Sequence, residues 1–595
     1  MCKVLDKINT PKDLKALSRK ELVQLCGEIR QQMILRLSVT GGHVGSNLSV
    51  IEATVALHYV FDSPVDKIIF DVSHQCYTHK LLTGRKAAYT DPARFSTVSG
   101  FTNPAESGHD IFSIGHTSTA VSLACGMAKG RDVKEESHNV IALVGDGALS
   151  GGEAFEGLNN ASVLGSNIIL IINDNDMSIA ENHGGFYQNL RLLRETDGKA
   201  DCNLFRALGF DYFFVRDGND FNEIADMLEL VKDTNHPVVV HMCTVKGKGY
   251  RFAEADRENW HYMGPFDIDT GKRRQEAVPA ETYEALTAAY LADKMRMDSA
   301  VTAITAGTPK VLGFEEELRN QFPKQFVDVG IAEGHAVAMI SGIAKAGGKP
   351  VFGVSSSFLQ RAYDQLSSDL ALNQSPAVIL VFFAGISGGS QTHMGIFDMA
   401  LAANIPGIIY LAPTCKEEYF SMLEWGLNQT EYPVIIRVPG IETVSRDAAL
   451  LSEYSYPAKY EIAEHGTMVA ILALGKFFEL GKSVREKLDA EYGIRATLIN
   501  PRYASAVDEV MLNALPEYGH RLVVTLEDGV IDGGFGEKIS RFYGTSPMKV
   551  LSFGAGKEFV NHVAADEQYF RYRLTPEQIV SDILKEISEH FRNNF

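Results

Sequence analysis

The sequence predicts an α/β protein with three domains, each built on a doubly wound, mostly parallel sheet. First, 595 residues are too many for one hydrophobic core, so several domains are expected. Second, short apolar runs alternate with helix-like segments in three successive regions, a pattern typical of parallel sheets covered by helices. Ligands of such sheets bind outside the carboxyl ends of the strands. Residues at those ends are therefore the first candidates for a functional site.

The three regions follow one another along the chain. We expect domains at residues 1–270, 298–450 and 460–595, with a polar, helix-prone linker at 271–297. Strand-like runs lie in the first region at 139–145, 167–173 and 237–245, in the second at QFVDVG, KPVFGVS, PAVILVFF, GIIYLAP and PVIIRVP, and in the third at TMVAILALG, IRATLIN and RLVVTLED.

Composition excludes several classes of protein. The formal net charge of -19 argues against general nucleic-acid binding, which needs a basic surface. No apolar run approaches the 18 or more residues of a membrane span. The charged N-terminus lacks the apolar core of an export signal. The seven cysteines are scattered without a C-x-x-C pair, which indicates a reducing cytoplasm rather than disulfides or a zinc site.

Two short motifs carry the strongest chemical signal. Gly145-Asp146-Gly147 follows one apolar run, and Asn173-Asp174-Asn175 ends the next, with a predicted helix between them. The right-handed crossover of a βαβ unit places Asp146 and Asn175 at the same sheet edge. Two oxygen ligands there suit Mg²⁺, and the flanking glycines let the backbone approach a diphosphate closely.

These motifs resemble the metal-binding motif of thiamine-diphosphate enzymes. Over nearly its whole length the chain resembles, among these enzymes, the 1-deoxy-D-xylulose-5-phosphate synthase family. The matching stretches include DVSHQCYTHKLLTGR, FSIGHTSTAVSLACGMA, IAEGHAVAMISGIA, SSFLQRAYDQ and QTHMGIFD. The resemblance implies a transketolase-like fold, thiamine diphosphate and Mg²⁺ as cofactors, and a homodimer with each cofactor between the first and second regions.

The resemblance also implies roles for particular residues. Asp146, Asn175 and the main-chain carbonyl of Met177 would hold Mg²⁺. Glu333 would hydrogen-bond the aminopyrimidine ring, on which Phe358 would stack. The residues expected around the diphosphate are His74, Gly115, His116, Thr117, Ser118, Gly147, Ala148 and Lys246.

The implied reaction joins pyruvate to glyceraldehyde 3-phosphate, releases CO₂ and gives 1-deoxy-D-xylulose 5-phosphate, a precursor of isoprenoids and thiamine. Its proton transfers near neutral pH suit histidine. The histidines at family positions are His43, His74, His261 and His393. Arg361 and Arg437 also match the family and are expected to hold the substrate phosphate.

The acceptor end departs from the family. Phe383 stands where the family has arginine, Gly389-Ser390 stands where the family has Asp-Gly, and the loop 384–392 is one residue shorter. Ser355 replaces a tyrosine upstream of FLQRAYDQ. The segment 181–203 is shorter than the mobile stretch of the family, and since loops gate such sites, substrate closure is expected to differ.

Two alternatives to the synthase reaction remain open. One is transketolase-like transfer of a two-carbon ketol unit to another aldehyde, which the absence of CO₂ release from pyruvate would indicate. The other is a catalytically quiet paralogue that serves as a binding subunit, which a failure to bind thiamine diphosphate would indicate. The third region carries no chemistry that the sequence identifies, and the family resemblance assigns it an interface or architectural role.

Overall fold

The computed structural model describes residues 4–274, 281–446, 454 and 459–593. The chain forms two compact units, one of residues 1–278 with 330–332 and the other of residues 279–329 with 333–595. Within the described residues, no helix has the length and apolar character needed to cross a membrane.

The first unit contains a five-stranded, all-parallel sheet in the order β1-β2-β3-β5-β4. Its strands are β1 (Lys67–Phe70), β2 (Val140–Gly145), β3 (Ile169–Asp174), β4 (Asp211–Val215) and β5 (Val238–Cys243). Its helices are α1 (Arg19–Thr40), α2 (Val44–Ser49), α3 (Ile51–Val60), α4 (Tyr77–Lys80), α5 (Ala87–Thr90), α6 (Ala120–Val133), α7 (Gly152–Ala161), α8 (Gly185–Glu195), α9 (Leu204–Ala207), α10 (Phe221–Val231) and α11 (Arg251–Ala255).

Side chains of this sheet pack into a separate core on each face. Because successive residues of a strand point to opposite faces, Ile141 and Leu143 of β2 enter one core, whereas Ala142 and Val144 enter the other. Both faces are therefore covered, as the unbroken apolar runs predicted.

The second unit contains two sheets. The first has six parallel strands in the order β10-β11-β9-β8-β6-β7. Its strands are β6 (Val301–Thr305), β7 (Phe326–Asp328), β8 (Lys349–Ser355), β9 (Val378–Phe382), β10 (Ile409–Leu411) and β11 (Val434–Arg437). Its helices are α12 (Tyr283–Met297), α13 (Glu316–Gln321), α14 (Glu333–Lys345), α15 (Ser356–Leu359), α16 (Asp398–Ala402) and α17 (Lys416–Asn428).

The other sheet of this unit has the order β12-β14-β13-β15-β16, and only its edge strand β12 runs antiparallel. Its strands are β12 (Glu461–Glu464), β13 (Val469–Ala473), β14 (Thr497–Asn500), β15 (Leu522–Val530) and β16 (Lys549–Ala555). Its helices are α18 (Phe478–Tyr492), α19 (Glu509–Glu517), α20 (Phe535–Tyr543), α21 (Ala565–Arg571) and α22 (Pro576–Asn593).

The predicted α/β class and all the strands read from apolar runs are confirmed. The segment expected to be a linker, 271–297, includes the packed helix α12. Tyr283, Leu291 and Met295 of this helix are buried in the core of the second unit. The helix-prone part of the segment is thus a structural element of that unit, held there by its apolar side.

Candidate active site

Asp146 and Asn175 lie at one edge of the first sheet, as predicted. Strands β2 and β3 are parallel neighbours, with Gly145 opposite Asn173, so the chain leaves both strands on the same side. Asp146 is buried, and its Oδ2 accepts hydrogen bonds from the main-chain N–H of Met177 (3.1 Å) and from Nδ2 of Asn182 (2.7 Å). The edge therefore presents a buried carboxylate held in a fixed orientation.

The electrostatics of this edge suit a divalent cation. Burial, followed by the charge of Asp174, raises the pKa of Asp146 to about 8. The side-chain oxygen Oδ1 of Asn175 is buried without a hydrogen-bond partner among the described residues. A bound Mg²⁺ would stabilise the ionised form of Asp146 and give the unpaired oxygen of Asn175 a partner. The described residues contain no group of three or more His, Cys, Asp or Glu side chains placed to hold a metal, so a site here depends on amide and main-chain oxygens.

The segment Gly115–Ser118, expected at the diphosphate, is held by an aspartate that sequence reasoning missed. It lies directly before α6, with Ser118 in the left-handed region at φ 77°. Asp71, just after β1, accepts the N–H groups of Ser118 (2.9 Å) and Ala120 (3.0 Å). The Ser118 hydroxyl donates to the carbonyl of Ala148 (2.7 Å), which joins this loop to the turn after β2.

Residue 147, in the turn after β2, has no space for a side chain. A Cβ added there would lie 2.6 Å from the Ser178 hydroxyl, so any larger residue would displace the loop that follows β3. Lys246 is almost fully buried and donates from Nζ to the carbonyl of Ser178. Burial lowers the pKa of Lys246 to about 8, against the opposing effect of Asp146. These residues fit the diphosphate side of the predicted cofactor site.

Three of the predicted histidines form one cluster in the first unit. The ring centroid of His43 lies 5.0 Å from that of His74 and 5.6 Å from that of His261. The ring centroids of His74 and His261 are 5.4 Å apart. Buried Asn47, which sequence reasoning also missed, donates from Nδ2 to the main-chain carbonyls of His43 (2.7 Å) and His74 (2.8 Å). Burial, followed by the charge of Lys246, holds the pKa of His261 well below its ordinary value. His261 is therefore neutral near pH 7.

Glu333 and Arg361 are brought together in the second unit. Glu333 is buried at the first position of α14, and Nη1 of Arg361 lies 3.5 Å from its Oε2. Burial raises the pKa of Glu333, while Arg361 acts in the opposite direction. Phe358 contacts His393 edge to face at 5.6 Å, and the His393 Nδ1 is 2.9 Å from the Thr392 hydroxyl.

Arg437 belongs to a different set of contacts. It is buried at the end of β11, where Nε donates to Asp398 (2.8 Å) and Nη1 donates to Asp528. Asp398 also accepts the Tyr410 hydroxyl, and Asp528 pairs with Lys476 at 2.9 Å. Burial lowers the pKa of Arg437, but the charges of Asp398 and Asp528 outweigh the effect of burial and hold the pKa well above its ordinary value. The expectation that Arg437 binds phosphate stays a prediction, and here its guanidinium pairs with protein carboxylates.

The divergent acceptor loop leaves β9 through a strained residue. Phe383 is 48% exposed with φ at 54°, a conformation that a bulky residue rarely adopts. The N–H of Gly385 donates to the carbonyl of Gly395 (2.6 Å), which closes the loop on itself. Ser390 is buried, and its hydroxyl lies 3.0 Å from that of Thr392.

Family models match almost the entire chain. A model described as 1-deoxy-D-xylulose-5-phosphate synthase matches residues 5–201 and 196–244. The transketolase pyrimidine-binding domain matches residues 280–443, and the transketolase C-terminal domain matches residues 458–579. The three matches together span all three sheets, and the fold is transketolase-like.

Curated proteins match over the full length. The chain is 37% identical to the 1-deoxy-D-xylulose-5-phosphate synthase of Clostridium tetani, with 98% of this chain and 100% of that protein covered. Identity is also 37% to the synthases of Caldanaerobacter subterraneus and Lachnoclostridium phytofermentans, with 98% of this chain and 99% of each relative covered.

Proposed function

Because the chain belongs to the 1-deoxy-D-xylulose-5-phosphate synthase family, we propose that it condenses pyruvate with glyceraldehyde 3-phosphate, releasing CO₂ and giving 1-deoxy-D-xylulose 5-phosphate. The observation that carries this proposal is the 37% identity to named synthases over 98% of the chain. The buried Asp146 edge and the buried Glu333 support it from the structure.

The cofactors of the proposed reaction are thiamine diphosphate and Mg²⁺. When bound, thiamine diphosphate supplies a carbon nucleophile that adds to a carbonyl. Asp146, the Asn175 side-chain oxygen and the Met177 carbonyl would hold the cation. Gly147, which has no side chain, would let the backbone approach the diphosphate closely, and the cationic Lys246 would offset part of the diphosphate charge. His74, Gly115, His116, Thr117, Ser118 and Ala148 would surround it.

Glu333 is proposed as the residue that exchanges a proton with the aminopyrimidine ring. Its buried position raises its pKa toward the working pH, which is the property that such a proton carrier needs. The partly buried Phe358 would stack against that ring. Both residues lie within the span of the pyrimidine-binding family model.

The histidines are proposed to move protons on the substrates. His261 is neutral near pH 7, so it can accept a proton or a hydrogen bond from a substrate hydroxyl. His43 and His74 lie beside it, and Asn47 fixes their main chains. His393 is the candidate in the second unit, where Thr392 orients its ring.

The acceptor end supports a second candidate, ketol transfer to another aldehyde. The exposed phenyl ring of Phe383 cannot bind a phosphate as the arginine of the family would, and Gly389 lacks the charge of the aspartate that the family has at that position. Loss of one charge-assisted contact costs about 1.5–3 kcal/mol, or about 10–100-fold in affinity. We propose Arg361, whose side chain is partly exposed, as the cation that binds the acceptor phosphate.

We also propose a cytoplasmic homodimer. The dimer rests on the family resemblance and on the prevalence of symmetric dimers. The location rests on the absence of any paired cysteine spacing in the sequence.

The test follows the carbon of ¹³C-labelled pyruvate by NMR, with thiamine diphosphate, Mg²⁺ and glyceraldehyde 3-phosphate present. Labelled 1-deoxy-D-xylulose 5-phosphate with CO₂ release supports the synthase. Cofactor binding without pyruvate turnover contradicts it and supports the ketol-transfer candidate, which a hydroxypyruvate donor then tests. An absence of cofactor binding would instead support a binding subunit.

A further inference from the structure

The short segment 181–203 folds against the candidate cation site. After β3 the chain turns and enters α8, whose Tyr187, Leu190 and Leu193 are buried in the core beside Ala148 and the other residues of the turn after β2. Apolar residues at this spacing share one face of a helix. The helix is therefore packed against the part of the unit that carries Asp146.

Three side chains of this segment make polar contacts with residues at the ends of β2 and β3. Asn182, in the approach to α8, donates from Nδ2 to Oδ2 of Asp146 at 2.7 Å. The Tyr187 hydroxyl lies 3.3 Å from the Asp146 carbonyl and 3.2 Å from the Gly147 carbonyl. Arg194, near the end of α8, donates from Nη1 to both carboxylate oxygens of Asp174 (2.8 and 2.7 Å).

Arg194 holds both neighbours of Asn175. Its Nη2 pairs with Asp176 at 2.7 Å, so one guanidinium connects the residues on either side of the candidate ligand. Asp176 has φ at 57°, and its N–H donates to Asp174 (3.1 Å), which gives a tight turn with Asn175 at its centre. On its other side, the same Asp174 carboxylate accepts a hydrogen bond from Nε2 of His241 (2.8 Å).

The two carboxylate oxygens of Asp146 differ in the hydrogen bonds that they accept. Both hydrogen bonds that the carboxylate accepts end on Oδ2, one from Asn182 and one from the main chain of Met177. A carboxylate fixed through one oxygen presents the other in a defined direction. The unpaired Oδ1 of Asn175 is the second oxygen at this edge.

We propose that Asn182 and Arg194 are positioning residues of the cation site, Asn182 by orienting the Asp146 carboxylate and Arg194 by fixing the turn that carries Asn175. This inference rests on the cation site of the proposed function and does not depend on the identity of the sugar acceptor. It assigns the segment 181–203 the task of shaping the cation site, where the sequence predicted only an altered closure over substrate.

The experiment measures Mn²⁺ binding in the presence of thiamine diphosphate, by calorimetry and by electron paramagnetic resonance. The variants are Asn182→Ala, Arg194→Met and Arg194→Lys. Arg191→Met is the matched control, because Arg191 is an exposed arginine on the same helix. Circular dichroism and the Tm of each variant verify the fold.

We expect Asn182→Ala and Arg194→Met to weaken Mn²⁺ binding about 10–100-fold, the usual effect of losing a partner of a metal ligand. Arg194→Lys should recover part of the loss, and the Mn²⁺ line shape should change in Asn182→Ala. Excess cation should restore turnover, which a misfolded variant would not allow. Arg191→Met should bind as the parent does.

Parent-like Mn²⁺ affinity and line shape in both Asn182→Ala and Arg194→Met would overturn the inference. The proposed function fails separately, if the parent protein binds Mn²⁺ but forms no product from pyruvate. A parent protein that binds no Mn²⁺ would overturn the cation site and this inference together.

Discussion

The guanidinium of Arg361, which we propose to hold the acceptor phosphate, lies 3.5 Å from the carboxylate of Glu333, which we propose to activate the cofactor. Glu333 is 3% exposed, and burial raises its pKa while Arg361 limits that rise. If the two residues have the proposed roles, acceptor binding should affect cofactor activation, because a phosphate bound to Arg361 would weaken the effect of Arg361 on the pKa of Glu333.

Replacing Arg361 should change the pH dependence of turnover as well as acceptor affinity. In Arg361→Met the pKa of Glu333 should rise, because the cation that stabilises its ionised form is lost. The pH–rate limb that depends on Glu333 should move to higher pH, and the KM for glyceraldehyde 3-phosphate should rise about 10–100-fold. Steady-state kinetics from pH 5.5 to 9 measure both. Arg361→Lys keeps the charge and should show the smaller shift, and an unchanged pH profile in Arg361→Met would contradict the connection.

Glu333→Gln should leave the fold intact and remove most turnover. The amide is close to the carboxylate in shape but cannot carry the proton, and such groups contribute about 10²–10⁴-fold to rate. Labelled-pyruvate NMR measures the loss. Glu316→Gln is the control, since Glu316 is an exposed carboxylate in the first turn of α13. Retention of most activity in Glu333→Gln would remove the residue from its proposed role.

Asp146→Ala should lose the cation-dependent part of thiamine diphosphate affinity. A ligand is removed directly, so the loss should be at least the about 10–100-fold typical of partners of metal ligands. Calorimetric titration of the cofactor with and without Mg²⁺ measures it. Asp201→Ala, at an exposed aspartate, should behave as the parent does. Equal affinities for Asp146→Ala and the parent would refute the assignment of this aspartate to the cation.

The sequence predicted most of the strands but missed β1, β4, β6, β12 and β16, of which all but β6 lie at the edge of a sheet. The four-residue β1 carries a lysine, and β12 has the polar sequence EIAE because it is a half-buried antiparallel edge. Asp146 and Asn175 could be placed together because parallel strands fix where their carboxyl ends lie.

Pairings between distant residues could not be predicted in the same way. Asn182 and Arg194 carry no local signal, since a polar residue after a strand and an arginine near a helix end are both ordinary on a surface. Arg437 matched a family position, yet its partners Asp398 and Asp528 are 39 and 91 residues away along the chain. Only the folded structure shows that these two carboxylates contact Arg437.

Arg437→Met should destabilise the protein, because it leaves Asp398 and Asp528 buried beside fewer cations. Breaking a buried ion pair by removing one partner costs about 3–5 kcal/mol. Chemical denaturation followed by circular dichroism measures the free energy of unfolding. Arg495→Met is the control at an arginine whose side chain is 76% exposed. Parent-like stability combined with a raised KM for glyceraldehyde 3-phosphate would instead support the predicted phosphate-binding role of Arg437.

Acidification should destabilise the first unit through a buried chain of His58, His79 and Asp110. His58 lies 2.9 Å from His79, which lies 2.9 Å from Asp110. Burial, followed by the charge of His79, holds the pKa of His58 well below its ordinary value. The unfolded chain therefore binds a proton below about pH 6.5 that the folded chain excludes. The contribution of neutral His58 to the free energy of unfolding is therefore fully present above about pH 6.5 and is lost as the pH falls below it.

Asp110 also makes the folded protein less stable as the pH falls, but over a lower pH range. Burial would raise its pKa, but hydrogen bonds from Arg85 and His79 outweigh burial and lower the pKa, so the contribution of Asp110 is lost below about pH 4. Urea midpoints measured from pH 8 to 5 should fall, and His58→Gln should reduce the slope by up to about 1.4 kcal/mol per pH unit. His465→Gln, at an exposed histidine, should leave the slope unchanged. Identical slopes for the parent and His58→Gln would show that His58 takes up its proton equally in both states, contrary to its burial.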